Sequence, residues 1–194
     1  RQMLAAARAA ALGEPYAVDV GLFCQERYFV YVAGFGAFTE VSYLTPQDKK
    51  NILGHQAYML ESVRSLASLR SYFMEVEWDG NFLEGEFVFG VVTNTISVGG
   101  FKGLVGQDVE LNDGYFEVLL IRKPKNPADI SNLVAGLLQK EEKENDQVYK
   151  FKTRSIRFRS SEPVDWVLDG EFGGTKTEVF VENLNKCLEI KRNK

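Results

Sequence analysis

Three Asp-Gly pairs stand out among the residues able to do chemistry: Asp79-Gly80, Asp113-Gly114 and Asp169-Gly170. Asp-Gly is the commonest hairpin dipeptide, because glycine tolerates positive φ and aspartate tolerates the left-handed region. The third pair sits in "DWVLDGEFGG", Asp165 to Gly174, where Asp169 and Glu171 place two carboxylates around one glycine. Taken alone, the residues leave two readings open. All three pairs are ordinary turns, or one of them carries chemistry.

Other chemistries are easier to exclude. His55 is the only histidine, so a site needing two His ligands is ruled out. Cys24 and Cys187 give neither a disulfide framework nor CxxC metal spacing, and their pattern fits a reducing compartment. The chain has no GxxxxGK[ST] phosphate loop, no HExxH and no nucleophile elbow. Gly34-x-Gly36 follows a strand-like run but lacks the third glycine of a dinucleotide fingerprint, so close backbone packing is its expected role. Asn94, before Gly99-Gly100, reads as a turn residue. A net charge of −4 argues against a general nucleic-acid binder. No apolar run approaches the roughly 18 residues of a membrane span. With 45% hydrophobic and 26% charged residues in 194, a core of normal size is available for one generous domain, or for one domain with an appendage.

The elements that must position these residues are mostly strands. Met3 to Leu12 is alanine-rich and helical in propensity, with Gly13 as C-cap and Pro15 forbidding continuation. "YAVDVGLF" and "ERYFVYVAGFG" are rich in β-branched and aromatic residues and read as strands. A helix is expected from the Thr45-Pro46 cap through Leu69, with Gly54 as a break between two helices. "SYFMEVEWDGNFLEGEFVFGVVTNT" predicts a hairpin turning at Asp79-Gly80-Asn81. "GYFEVLLIRK" is a further strand, "NPADISNLVAGLLQK" a helix starting at Asn126 or Pro127, and Lys140 to Asp146 a solvated connection. "VYKFKTRSIRFRSS" alternates basic and apolar residues and then slips phase, which predicts a bulge near Ser155. Its lysines and arginines suit a solvent-facing edge, or contact with an anionic phospholipid surface. "DWVLDGEF", "TEVFVEN" and "CLEIKR" complete eight to ten strands and two or three helices. The fold class is mainly β (α+β): an antiparallel β sandwich or barrel with a few packed helices.

Read in order, "VDVG", "RYFVYVAGFGAFTEV", "KNILGHQAYMLESVRSL", "NTISVGGF", "LNDGYFEVLLI" and "VLDGE" form a series. The series resembles the C-terminal part of the bacterial diacylglycerol kinase family of lipid kinases, related to sphingosine kinases and more distantly to NAD kinases, from about Met3 to Ile190. The resemblance implies a two-domain enzyme. An N-terminal domain carries a Gly-Gly-Asp-Gly-Thr loop for the ATP phosphates, and a C-terminal β sandwich closes the cleft. This sequence contains no Gly-Gly-Asp-Gly-Thr and opens without Met. Residues 1–14 are therefore expected to be a helix left from the nucleotide domain, and 15–194 the β-sandwich domain.

By the same resemblance, Glu171 is the base that takes the proton of a lipid hydroxyl, on a loop shaped by Asp169 and Gly170. "ELNDGY" is similar to a structural magnesium site, implying the Asp113 carboxylate and the backbone carbonyls of Glu110 and Tyr115 as ligands. One carboxylate plus turn carbonyls suits Mg²⁺, which keeps several waters. Family members often carry a basic residue at the Glu110 position, a change that a backbone ligand tolerates. The implied activity is transfer of the γ-phosphate of ATP to diacylglycerol at the membrane surface by a cytoplasmic protein without a transmembrane segment. No nucleic-acid partner is expected, homodimerisation is a family expectation, and the fragment alone is expected to be inactive. Two alternatives stand beside it: a non-catalytic β-sandwich module that binds a lipid or a partner, and a kinase for a sphingoid or other alcohol.

Overall fold

A computed structural model describes residues 2–36, 70–95, 97–98, 101–102, 109–138 and 146–192. The helix expected from Thr45, with His55, and the connection Lys140 to Glu144 plus Asn145 lie outside the described residues. Helix α1 (Gln2–Leu12) ends where the Gly13 amide donates to the Ala9 carbonyl at 2.8 Å, the cap expected of this glycine. Eleven strands follow among the described residues: β1 (Glu14–Phe23), β2 (Arg27–Phe29), β3 (Val32–Gly36), β4 (Tyr72–Trp78), β5 (Asn81–Thr93), β6 (Ser97–Val98), β7 (Phe101–Lys102), β8 (Phe116–Arg122), β9 (Val148–Thr153), β10 (Ser155–Leu168) and β11 (Glu171–Arg192). Between β8 and β9 runs helix α2 (Pro127–Leu138). Its N-cap is Asn126, whose side-chain oxygen accepts the Asp129 amide at 3.0 Å, with Pro127 opening the helix.

Nine strands form one antiparallel sheet ordered β2-β1-β11-β10-β3-β5-β8-β9. The ninth, β4, pairs with both β10 and β5. Two long strands make this arrangement. The first half of β10, Ile156 to Ser160, lies against β4, while Trp166 to Leu168 lie against β3. Likewise β5 uses Asn81 to Phe87 for β4 and Phe89 to Thr93 for β3. Strands β3 and β4 thus fill successive stretches between β5 and β10, and the sheet curls around one core. That core is aromatic: Phe23, Phe35 and Phe158 surround the Trp166 ring at centroid distances of 5.5, 5.1 and 5.2 Å. An antiparallel β-sandwich fold is what the alternating strands predicted.

Three local expectations need correction. "ERYFVYVAGFG" is two strands rather than one, because the amides of Val30, Tyr31 and Val32 turn away to bond the Asp169 carboxylate. The phase slip near Ser155 is a strand boundary rather than a bulge. β9 ends at Thr153, whose hydroxyl donates to the Ser155 carbonyl at 2.7 Å, and β10 starts with new partners. The basic run is consequently an edge only in its β9 half. In the interior strand β10, Arg157 and Arg159 both bond Glu178, and Arg159 also bonds Glu77. Gly36 meets its expectation of close packing: a Cβ there would lie 2.1 Å from the Val88 carbonyl oxygen.

Candidate functional site

Asp169 and Gly170 join β10 to β11 with φ of 51° and 92°, the left-handed pair that a two-residue hairpin requires. Trp166 and Leu168, both buried, anchor one side of this turn in the core. On the other side the pairing slips between Trp166 and Val167, leaving Gly173 as an extra residue. A Cβ on Gly173 would meet the Leu168 side chain at 2.9 Å, so glycine is needed for the bulge to close.

The two carboxylates around Gly170 have opposite fates. Asp169 is spent on structure: its oxygens accept the amides of Val30, Tyr31 and Val32, each at 2.8 Å, and its own amide donates to the Val32 carbonyl at 2.8 Å. Three consecutive amides converging on one carboxylate make a strong, charge-assisted clamp. It ties the β2–β3 loop to the turn. Arg27 ties down the far side, donating to the Phe172 carbonyl at 2.7 Å. Glu171, by contrast, is exposed, and its side chain has no hydrogen-bond or ion-pair partner among the described residues. One acid builds the mount and the other is left available.

The second turn, Leu111 to Gly114, is organised from outside itself. Asp19 interrupts the apolar run of β1 and is 0% exposed. Its carboxylate accepts the amides of Gly114 and Lys186 at 2.7 Å each, and the side-chain amides of Asn185 at 2.9 Å and Asn183 at 3.3 Å. The β1–β11 register jumps from Val18↔Leu188 to Val20↔Leu184, so a β11 bulge with Lys186 at φ 54° wraps this carboxylate. The Asp19 amide donates to the Leu111 carbonyl at 2.8 Å, and Asn94 donates to the carbonyls of Asp19 and Leu111. Asn94 stands in the bend after β5, where its position suggested a turn, and its buried side chain also braces the Leu111 to Gly114 turn.

Asp113 faces a cation already. One of its oxygens accepts the Tyr115 amide at 2.9 Å, and the other lies 3.1 Å from Lys152 Nζ. The same ammonium lies 3.2 Å from Oε1 of Glu117, which is 1% exposed and has no hydrogen-bond donor of good geometry on either oxygen. Burial pushes the Glu117 carboxyl above the usual carboxylate range, against the pull of Lys152. Asp113, with the carbonyls of Glu110 and Tyr115, offers the hard oxygen donors that Mg²⁺ takes, and in donor type the set fits. In this arrangement Lys152 supplies the positive charge at Asp113.

Of the two site acids named from the sequence, Asp113 thus lies within a turn and Glu171 opens β11 directly after one, at separate places in the sheet. Asp19, Asn94, Glu117 and Lys152 were not assigned there. Asp19 carried a readable signal, since an aspartate within "AVDVGLF" must find donors when its strand is buried. Glu117 and Lys152 carried none, because their meeting depends on the β8–β9 pairing that sets Glu117 opposite Lys152.

Residues 32–191 match the family described as the YegS C-terminal NAD kinase beta sandwich-like domain, and the chain belongs to that family. The diacylglycerol kinase of Bacillus subtilis (strain 168) is 35% identical over 173 residues, covering 89% of this chain and 56% of that protein. A diacylglycerol kinase of Staphylococcus epidermidis (strain ATCC 12228) is 32% identical over 178 residues, covering 92% and 55%. The chain spans about half the length of the curated relatives it matches. A Bacillus anthracis crystal structure superposes with a TM-score of 0.73 at 21% identity, covering 96% of this chain and 61% of that one. At that identity the likeness speaks for the fold.

Proposed function

We propose that this chain is the C-terminal domain of an ATP-dependent lipid kinase in which Glu171 accepts the proton of the acceptor hydroxyl. The observation that carries the reading is the exposed Glu171 carboxylate, without a partner among the described residues, beside an Asp169 engaged by backbone amides. A primary alcohol is a weak nucleophile, and an oriented carboxylate removes its proton as the alcohol oxygen attacks the γ-phosphorus. The new O–P bond forms, the bond to the ADP oxygen breaks, and the proton ends on Glu171. Asp169 and Gly170 hold the backbone from which Glu171 projects.

ATP is expected to be bound mainly by an upstream nucleotide-binding part, with α1 as its last helix. The relatives named diacylglycerol kinase, of which this chain covers 56% and 55%, support this division and make diacylglycerol the first acceptor to test. Asp113, with the carbonyls of Glu110 and Tyr115, is the proposed Mg²⁺ site, where a bound ion would brace the turn. Lys152 and Glu117 are the neighbours such an ion would meet. The reading has the protein working in the cytoplasm in peripheral contact with the membrane, and the free thiols of Cys24 and Cys187 suit that compartment. No helix among the described residues is long and apolar enough to cross a membrane.

The test is phosphate transfer from ATP to dioctanoylglycerol by the chain joined to its upstream nucleotide-binding part. Replacing Glu171 by Gln should remove most of the turnover, and the 194-residue chain alone should transfer no phosphate. Undiminished turnover in Glu171→Gln would take Glu171 out of the mechanism.

A further inference from the structure

Three exposed apolar residues belong to backbone segments tied to the turn that precedes the candidate base. Phe172, directly after Glu171, is 63% exposed, while Val30 and Tyr31 are 45% and 39% exposed. The backbone beneath all three is pinned, by Asp169 at the amides of Val30 and Tyr31 and by Arg27 at the Phe172 carbonyl. Scattered surface apolar residues need no explanation, but three of them on backbone pinned at the turn before a carboxylate with no partner among the described residues do. Holding these backbones in place means that a ligand covering the side chains has little ordering left to impose.

Charge selects the occupant. Arg27 keeps its charge while donating to the neutral Phe172 carbonyl, but the carboxylates of Asp169 and Glu171 outnumber it. Lys176 is paired with Glu26, so the described surroundings of the turn are net negative and disfavour an anionic headgroup. Within the basic run that could have attracted an anionic membrane, Lys152, Arg157 and Arg159 are in ion pairs and Arg154 lies over the Tyr115 ring. An uncharged alcohol instead gives Glu171 a hydrogen-bond donor and lets an apolar body cover the ring and the aliphatic side chain. We propose that Val30, Tyr31 and Phe172 form a platform for the acylated body of an uncharged lipid alcohol, seating its hydroxyl against Glu171. The platform rests on the lipid-kinase reading for the identity of its ligand.

The experiment is co-sedimentation of the protein, joined to its upstream part, with three kinds of phosphatidylcholine vesicle. One is plain, one contains dioleoylglycerol, and one contains phosphatidylglycerol. Retention should rise with dioleoylglycerol and not with phosphatidylglycerol. The double variant Val30→Ser, Phe172→Ser should weaken retention about tenfold or more, since each substitution removes apolar contact worth a large part of that factor. If that variant fails to fold, Phe172→Trp answers the same question. Its added fluorescence should shift to the blue with dioleoylglycerol vesicles and not with the other two.

Retention governed by phosphatidylglycerol, equal retention of parent and double variant, or an unshifted tryptophan would each overturn the platform. Turnover separates this from the reading beneath it. An inactive Glu171→Gln with a fully retained double variant sinks the platform alone. An active Glu171→Gln with a poorly retained double variant sinks the base alone.

Discussion

The Asp169-Gly170 and Asp113-Gly114 turns are built in opposite directions. At the first, the turn supplies the carboxylate, and Asp169 reaches out to hold the loop at Val30 to Val32. At the second, the turn is the part being held, by Asp19 of β1 acting through the Gly114 amide and the β11 bulge. The first construction leaves an exposed acid with no partner among the described residues, whereas the second draws Asp113 and Glu117 onto one ammonium. A turn that spends its own carboxylate on neighbouring amides can present the next residue to a ligand. One gripped from the interior is suited to bracing, and to holding a cation between fixed oxygens. Asp79-Gly80 is the control: both φ values are positive, as at Asp169-Gly170, yet no neighbouring loop is clamped to it among the described residues.

The contrast predicts effects of different kind and size. The largest falls on activity alone. Glu171→Gln should cost about 10²–10⁴-fold in turnover, the usual worth of a general base. Its thermal stability should stay within about 0.5 kcal/mol of the parent, as expected for an exposed side chain without partners among the described residues. A variant that lost both would show that Glu171 belongs to the architecture and would erase the distinction between the turns.

Next comes the buried anchor. Asp19→Ala strands the amides of Gly114 and Lys186 together with those of Asn183 and Asn185, and should cost about 3–5 kcal/mol in denaturant unfolding. A loss below about 1 kcal/mol would mean that the second turn holds itself. A smaller loss, about 2–3 kcal/mol, is expected for Asp169→Ala, since its three amides lie nearer to water and can be rehydrated. Turnover should fall with it, through misplacement of Glu171 rather than loss of a reacting group. Its kcat should therefore drop while the pH profile of kcat keeps its shape.

The smallest effect tests the exposed acids that are paired, as Glu171 is not among the described residues. Hydrogen bonds from Arg157 and Arg159 hold the Glu178 carboxyl below the usual carboxylate range. A depressed folded pKa means that this contribution is present above the unfolded value and disappears as pH falls through the folded one. Glu178→Gln should accordingly lower the melting temperature slightly at neutral pH and match the parent in strong acid. An equal difference at both extremes would assign the effect to packing.

Much of this molecule was legible as sequence because the information is local. Strand alternation, the Asn126-Pro127 helix start, the Gly13 cap and the Asp79-Gly80 hairpin depend on neighbours within a few residues, and each appears as the residues dictate. The ordered series ending in "VLDGE" likewise pointed to Glu171 and Asp113 without coordinates. What failed to read locally were the breaks at Val30-Tyr31 and at Arg154. The first is imposed by a carboxylate 137 to 139 residues away along the chain, and the second by a change of pairing partner.

The sequence by itself determined a mainly β domain, the left-handed Asp-Gly turns and the two acids worth testing, because turn chemistry and side-chain period are written in adjacent residues. Only the tertiary structure decided how each acid is used. Long-range pairing brings Asp169 under three amides of the β2–β3 loop and surrounds Asp19 with donors from three distant segments. It also sets Lys152 between Asp113 and Glu117. A carboxylate's role follows from the donors that reach it, and in an antiparallel sheet those donors come from strands far apart in sequence.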